Sequence, residues 1–215
     1  MTELPKSRLL RQIAKPGADA DKIAKRMIQN PGLLPELLDG ITSDQARVKF
    51  GCSKVARIIS ENAPELLYPK MGFFIDLLDI DNTFLVIDAA RVIANLTRAD
   101  KRGRFEKVFK KYFSPIPGPT LITAANAISE APKIARAKPK LTERIVREML
   151  KVEKASYATK ECRNIALGRA ITSFDQFFDQ ISDKKPVVAL VKKQLRNKRN
   201  STRKKAEQFV KKWQV

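Results

Sequence analysis

Shifted by 38 positions, residues 41–59 overlay residues 80–96, so that Val48 meets Val86, Cys52 meets Ala90, Val55 meets Ile93 and Ile58 meets Leu96. A period of this length constrains the fold more tightly than any single motif. Each repeat must be one small supersecondary unit that buries its apolar face against its neighbours. The frame returns in residues 121–128 with Leu121, Ala125 and Ile128, in 160–166 with Cys162 and Ile165, and in 202–210 with Ala206 and Phe209. In every copy a small residue stands three positions before a larger apolar one, which is the spacing of a helix face, and the small side chain permits close approach of a second helix.

A second apolar-periodic segment follows each of the first four copies, in residues 66–78, 104–113, 141–152 and 187–195. Phe105, Val108, Phe109 and Tyr112 form an i, i+3, i+4, i+7 stripe, and Leu141, Ile145 and Met149 an i, i+4, i+8 stripe. Asp44, Asn82, Thr120, Thr159 and Ser201 stand where an N-cap oxygen can take the free amides of a first turn. Pro64, Pro69, Pro115, Pro117, Pro119, Pro139 and Pro186 fall between the patterns or at their starts. The expected architecture is all-α. It comprises an N-terminal segment 1–19 and one repeat domain 20–215, with hairpins near 20–43, 44–81, 82–118, 119–156 and 157–199 and a terminal helix 200–215. The first hairpin is shortened, with helical stretches at 20–29 and 33–41, and is preceded by an amphipathic turn around Leu9, Leu10 and Ile13.

The run Asp44, Val48-Lys49, Cys52, Val55 and Ile58, followed by Pro64-Glu65-Leu66-Leu67, resembles a HEAT repeat. The resemblance spans roughly residues 20–215. It implies a right-handed α–α superhelix, a HEAT-like solenoid of about five hairpins, with the second helices lining a concave side. Copies two and three carry Ile87 and Ile122 where the HEAT pattern has a basic residue, so there the hairpin carries over but not its ladder of polar contacts. Such a likeness speaks to fold and leaves function to the site.

Charge adds a second constraint: 43 Lys and Arg against 23 Asp and Glu give +20, a balance suited to an acidic partner. The excess is uneven. Residues 184–215 hold twelve basic side chains and one acid, Glu207, while residues 62–90 hold five acids and only Lys70. Arg104, Lys107 and Lys111 map at an offset of 40 onto Arg144, Arg147 and Lys151, each trio lying on one helix face. Lys185, Lys192 and Arg196 continue the series, with Ala189 filling one slot. The HEAT resemblance makes this stack a basic inner groove, although charged faces of amphipathic helices are also simply what water solvates. Arg203 and Lys204, in the basic run 196–205, form a further candidate that can hold phosphates, or an ordinary terminal cap.

Histidine is absent from the sequence, which removes Ser/His/Asp and Cys/His catalysis and His-based metal sites. Two cysteines 110 positions apart make no disulfide framework, and both are expected as small buried packing residues. Phe174, Phe177 and Phe178 are expected in the core, Trp213 against the end of the last helix, and Gly51 and Gly168 at close helix contacts. No apolar run approaches the ~20 residues that span a bilayer, and the N-terminus lacks the layout of a secretory signal. The expectation is therefore a cytoplasmic, monomeric scaffold with no cofactor and no enzymatic activity, which binds an acidic protein segment. Backbone binding of DNA or RNA is the alternative. Base excision in the manner of the HEAT-like alkylpurine DNA glycosylases is a remote third reading, since no aromatic and acidic arrangement suits it in the middle hairpins.

Overall fold

The computed structural model describes residues 7–215, which fold from helices, with no strand among the described residues. The first six residues of the expected N-terminal segment lie outside the described residues. The chain forms two compact units, one ending at Arg102 and one running Gly103–Val215.

In the first unit α1 (Arg8–Ile13), α2 (Ala20–Gln29) and α3 (Leu34–Ile41) pack on α4 (Ala46–Asn62). The chain continues through α5 (Pro64–Leu67) and α6 (Met71–Asp76) to α7 (Thr83–Leu96), which packs on α4. Val48, Cys52, Val55 and Ile59 bury one stripe of α4. Glycine permits the contact with α1: a Cβ at Gly51 would stand 2.5 Å from Ile13 Cγ2. The expected helix at 66–78 is broken into α5, a 3-10 turn Tyr68–Lys70, α6 and a second 3-10 turn Leu77–Asp79. Pro69 has no amide proton for the i−4 carbonyl, and its ring crowds the preceding turn.

The second unit comprises α8 (Arg104–Phe113), α9 (Leu121–Ala137), α10 (Thr142–Leu150), α11 (Lys160–Asp175), α12 (Lys185–Gln194) and α13 (Asn200–Trp213). The long helices α9, α11 and α13 pack in series, with α8 and α10 on α9, and α12 against α10, α11 and α13. Phe105, Phe113, Phe174, Phe177, Phe178 and Phe209 are among the largest buried side chains. Trp213 closes the end of this core, 4.8 Å centroid to centroid from Phe178, and its Nε1–H donates to Asp175 Oδ1 at 2.7 Å. Pro132 lies within α9, which continues to Ala137.

Asn82 and Thr159 cap α7 and α11 as expected, accepting from Leu85 N at 3.2 Å and Cys162 N at 3.0 Å. Thr120 occupies the cap position of α9, but its side chain accepts no amide there. Two other caps move. The cap position of α4 is Gln45, not Asp44. Ser201 lies inside α13, whose cap residue is Arg199, its amide donating to Asn197 Oδ1 at 2.9 Å. The buried stripes of the later copies also begin further along. Leu121, Ala125, Cys162 and Ile165 are half-buried, whereas Ala124, Ala127 and Ile128 of α9 and Ala166, Ala170 and Phe174 of α11 are buried.

Candidate functional site

Helix α8 fixes one edge of the basic surface by burying Phe105, Phe109, Tyr112 and Phe113 as edge-to-face and tilted pairs 4.9 to 6.5 Å apart. Such packing leaves the opposite side of the helix to Lys107 and Lys110, both exposed, with Arg104 and Lys111 half-buried at its flank. Helix α10 buries Thr142, Ile145, Val146 and Met149, exposes Arg147 and leaves Arg144 half-buried. Helix α12 buries Val187, Leu190, Val191 and Gln194 and exposes Lys185, Lys192 and Lys193, with Arg196 exposed just beyond it.

Two contacts bring these cations together across helices. The Arg144 guanidinium stands 4.3 Å from the centroid of the Phe109 ring, so α8 and α10 are neighbours. A cation over an aromatic face keeps its charge while its orientation is restricted. Lys193 Nζ pairs with Glu153 Oε1 at 2.6 Å, joining α12 to the 3-10 turn Lys151–Lys154 that follows α10.

Three acids of this surface are occupied, while Glu106 stands exposed on α8 beside Lys107. Glu143 Oε1 accepts from the Ser182 amide at 2.8 Å, Glu148 pairs with Lys151 at 2.6 Å, and Glu153 takes Lys193. The side chains of Lys107, Arg147, Lys185, Lys192 and Arg196 form no ion pair with a carboxylate among the described residues, so positive charge is left over on successive helices. Lys151, read from the sequence as an equal member of its trio, is partly neutralised. Lys193, which the offset of 40 did not select, links the last two members.

The run 196–205 divides differently. Arg203 turns back onto its own loop, donating to Asn197 O at 3.2 Å and Asn200 Oδ1 at 3.0 Å, with Glu207 at 3.9 Å. Arg199 pairs with Glu161, while Lys204 is exposed. Lys205 is half-buried, its Nζ 3.4 Å from Gly168 O, and burial together with Arg169 and Arg199 lowers its pKa. Like charges are thus held close along the edge where α13 meets α11.

No group of three or more Cys, Asp or Glu among the described residues can hold a metal ion, and no described helix is long and apolar enough to cross a membrane. Two side chains that the repeat frame did not single out, Phe50 and Phe84, stand exposed in the first unit and touch edge to face. Phe50 lies off the stripe of Val48, Cys52 and Val55, and that displacement is the sequence signal that could have found it.

No family model and no curated protein matches the chain. Solved structures do. A designed armadillo repeat protein, YIII(Dq)4CqI, aligns with 97% of this chain and 99% of its own at TM-score 0.60 and 14% identity. A second, YIII(Dq.V1)4CPAF in complex with the peptide (KR)4, aligns with 95% of this chain and 90% of its own at TM-score 0.54 and 16% identity. An engineered protein, structural-genomics target OR329, covers 94% and 86% at TM-score 0.52 and 15% identity. At such identities the likeness concerns the fold, an all-α helical-repeat solenoid of the armadillo and HEAT type.

Proposed function

We propose that the chain is a non-catalytic, cytoplasmic scaffold that binds an acidic segment of a partner protein through the basic face of α8, α10 and α12. Arg104, Lys107, Lys111, Arg144, Arg147, Lys151, Lys185, Lys192 and Arg196 supply that face, and Lys204 and the loop-bound Arg203 extend it. The observation that carries this reading is the surplus of cations on three successive helices, which remains with Glu143, Glu148 and Glu153 partnered and Glu106 the one further acid within α8, α10 and α12. Repeat solenoids bind along extended surfaces of this kind, and complementary charge selects the partner and speeds encounter. The designed relative holds a (KR)4 peptide, which is basic. A chain of net charge +20 repels such a ligand and suits the opposite sign.

An acidic peptide is favoured over single-stranded nucleic acid because the aromatics of α8 are buried and offer bases no stacking surface. Duplex backbone binding is separated by salt. Neutralising about six phosphates gives a slope of log K against log salt near −5. Fluorescence anisotropy with a labelled oligoglutamate peptide and a labelled duplex tests both. Changing Lys107, Arg147 and Lys192 together to Glu should weaken peptide binding by at least about tenfold, or 1.4 kcal/mol. Unchanged peptide affinity rejects the face, and duplex binding with the steep slope replaces the peptide by nucleic acid.

A further inference from the structure

Phe84 is 71% exposed and Phe50 39% exposed, the largest apolar side chains left to water among the described residues. They are not scattered. Their ring centroids lie 5.9 Å apart at 74°, an edge-to-face pair joining the N-terminal ends of α4 and α7. Isolated surface apolar residues need no explanation, but two aromatic rings that fix one another's orientation in water form a preorganised patch.

The charges around it are asymmetric. One turn before and one turn after Phe50 on α4 stand Arg47 and Lys54, both exposed and neither in an ion pair among the described residues. The carboxylate one turn after Phe84 is Asp88, and it is committed three times. It accepts from Ser53 Oγ at 2.9 Å and pairs with Arg57 at 3.8 Å and Arg91 at 3.7 Å. Asp81, exposed, lies just ahead of the Asn82 cap of α7 and outside α4. The patch is therefore an apolar centre whose α4 rim is basic.

We infer that Phe50 and Phe84 form a docking site for a peptide that packs one bulky apolar side chain against the exposed faces of the two rings and lays carboxylates over Arg47 and Lys54. A second copy of this chain is a poor occupant, because each copy brings a net charge of +20 to the encounter. Single-stranded nucleic acid stacks successive bases on parallel faces, whereas two edge-to-face rings leave no such series. An aromatic centre ringed by polar groups is the arrangement that concentrates binding free energy in protein recognition. This site lies in the first unit and does not depend on the basic face of α8, α10 and α12.

The test is a phage library of random sixteen-residue peptides panned against the full chain, followed by anisotropy with the best peptide, synthesised and labelled. Enriched sequences should pair Leu, Ile, Phe or Trp with Asp or Glu within a few positions. Phe84→Ser and Lys54→Glu should each weaken binding at least about tenfold, which is 1.4 kcal/mol. Both side chains are exposed, so helical circular dichroism should be unchanged. The triple Glu variant of Lys107, Arg147 and Lys192 should bind that peptide as the parent does. A library without enrichment, or peptides insensitive to Phe84→Ser, overturns the inference. Peptides lost only in the triple variant also overturn it while supporting the basic face. Phe84-dependent binding of labelled oligo(dT), or a Phe84-dependent dimer in sedimentation, assigns the patch to another occupant and sinks it as well.

Discussion

Cys52 and Cys162 fall in the same slot of the repeat frame, yet their surroundings differ. Cys52 is buried against Gly40, and its thiol pKa is pushed up to about 12 by burial and then by Glu36. Cys162 is half-buried in the first turn of α11. A thiol-specific reagent at ~pH 8 should therefore label only Cys162 in the native chain and reach Cys52 only after unfolding, since the thiolate is the reactive form. Labelling of Cys52 in a Cys162→Ser variant without denaturant would contradict this. Tyr157, whose pKa burial also raises to about 12, adds to the same pH response. The folded chain keeps both protons where the unfolded chain releases them, near the ordinary values of 9.0 and 10.0. Stability is thus fully present below pH 9.0 and lost as pH rises towards about 12. Urea midpoints taken from ~pH 8 to ~11 should fall, and fall less steeply for Cys52→Ala.

The α11–α13 pair depends on one glycine. A Cβ at Gly168 would meet Thr202 Oγ1 at 2.7 Å, and that hydroxyl donates to Asn164 O at 2.8 Å. Gly168→Val should push α13 off α11 and cost about 1–3 kcal/mol through overpacking. The readout is built in, because Trp213 is the only tryptophan and sits in α13 against Phe178 and Phe209. Its emission should shift to the red, and its unfolding midpoint should drop. An unshifted spectrum would mean that Thr202 swings aside without moving the helix. This crossing was legible in the sequence, as was the one at Gly51, because a glycine inside a helical pattern has few other uses. Helices α8 and α12 were legible from their stripes, and the caps at Asn82 and Thr159 from side-chain chemistry. Pro69 was read as a boundary residue rather than as the break that it makes between α5 and α6. The burial register of the later copies was not legible either. A period of 38 aligns the frames, but it does not say that the first turns of α9 and α11 remain half-exposed at Leu121 and Cys162.

At the scale of the whole molecule, +20 is a repulsive load that the described ion pairs offset only in part. Pairs that link one element to another, among them Arg57 with Asp88, Lys193 with Glu153 and Lys212 with Asp175, are at least partly exposed. Pairs of that kind contribute about 0–1 kcal/mol each. Repulsion among the unpaired cations acts over a Debye length, roughly 10 Å at 0.1 M salt and 3 Å at 1 M, so added salt screens it. The sequence revealed where this excess lies, in Lys107, Arg147 and the run 184–215, but not that Glu143 and Glu153 were already spent, since their partners Ser182 and Lys193 lie 39 and 40 positions away. Raising NaCl from ~10 mM to ~0.5 M should therefore raise the thermal midpoint. Converting Lys107, Arg147 and Lys192 together to Gln should raise the low-salt midpoint and flatten the response, because these exposed cations lack carboxylate partners among the described residues. A midpoint that falls with salt would mean that the exposed pairs outweigh the repulsion. The basic face would then be a balanced, solvated surface with no surplus for an acidic partner. The expected rise places the unpaired charge at the cost of stability, as at sites kept for binding.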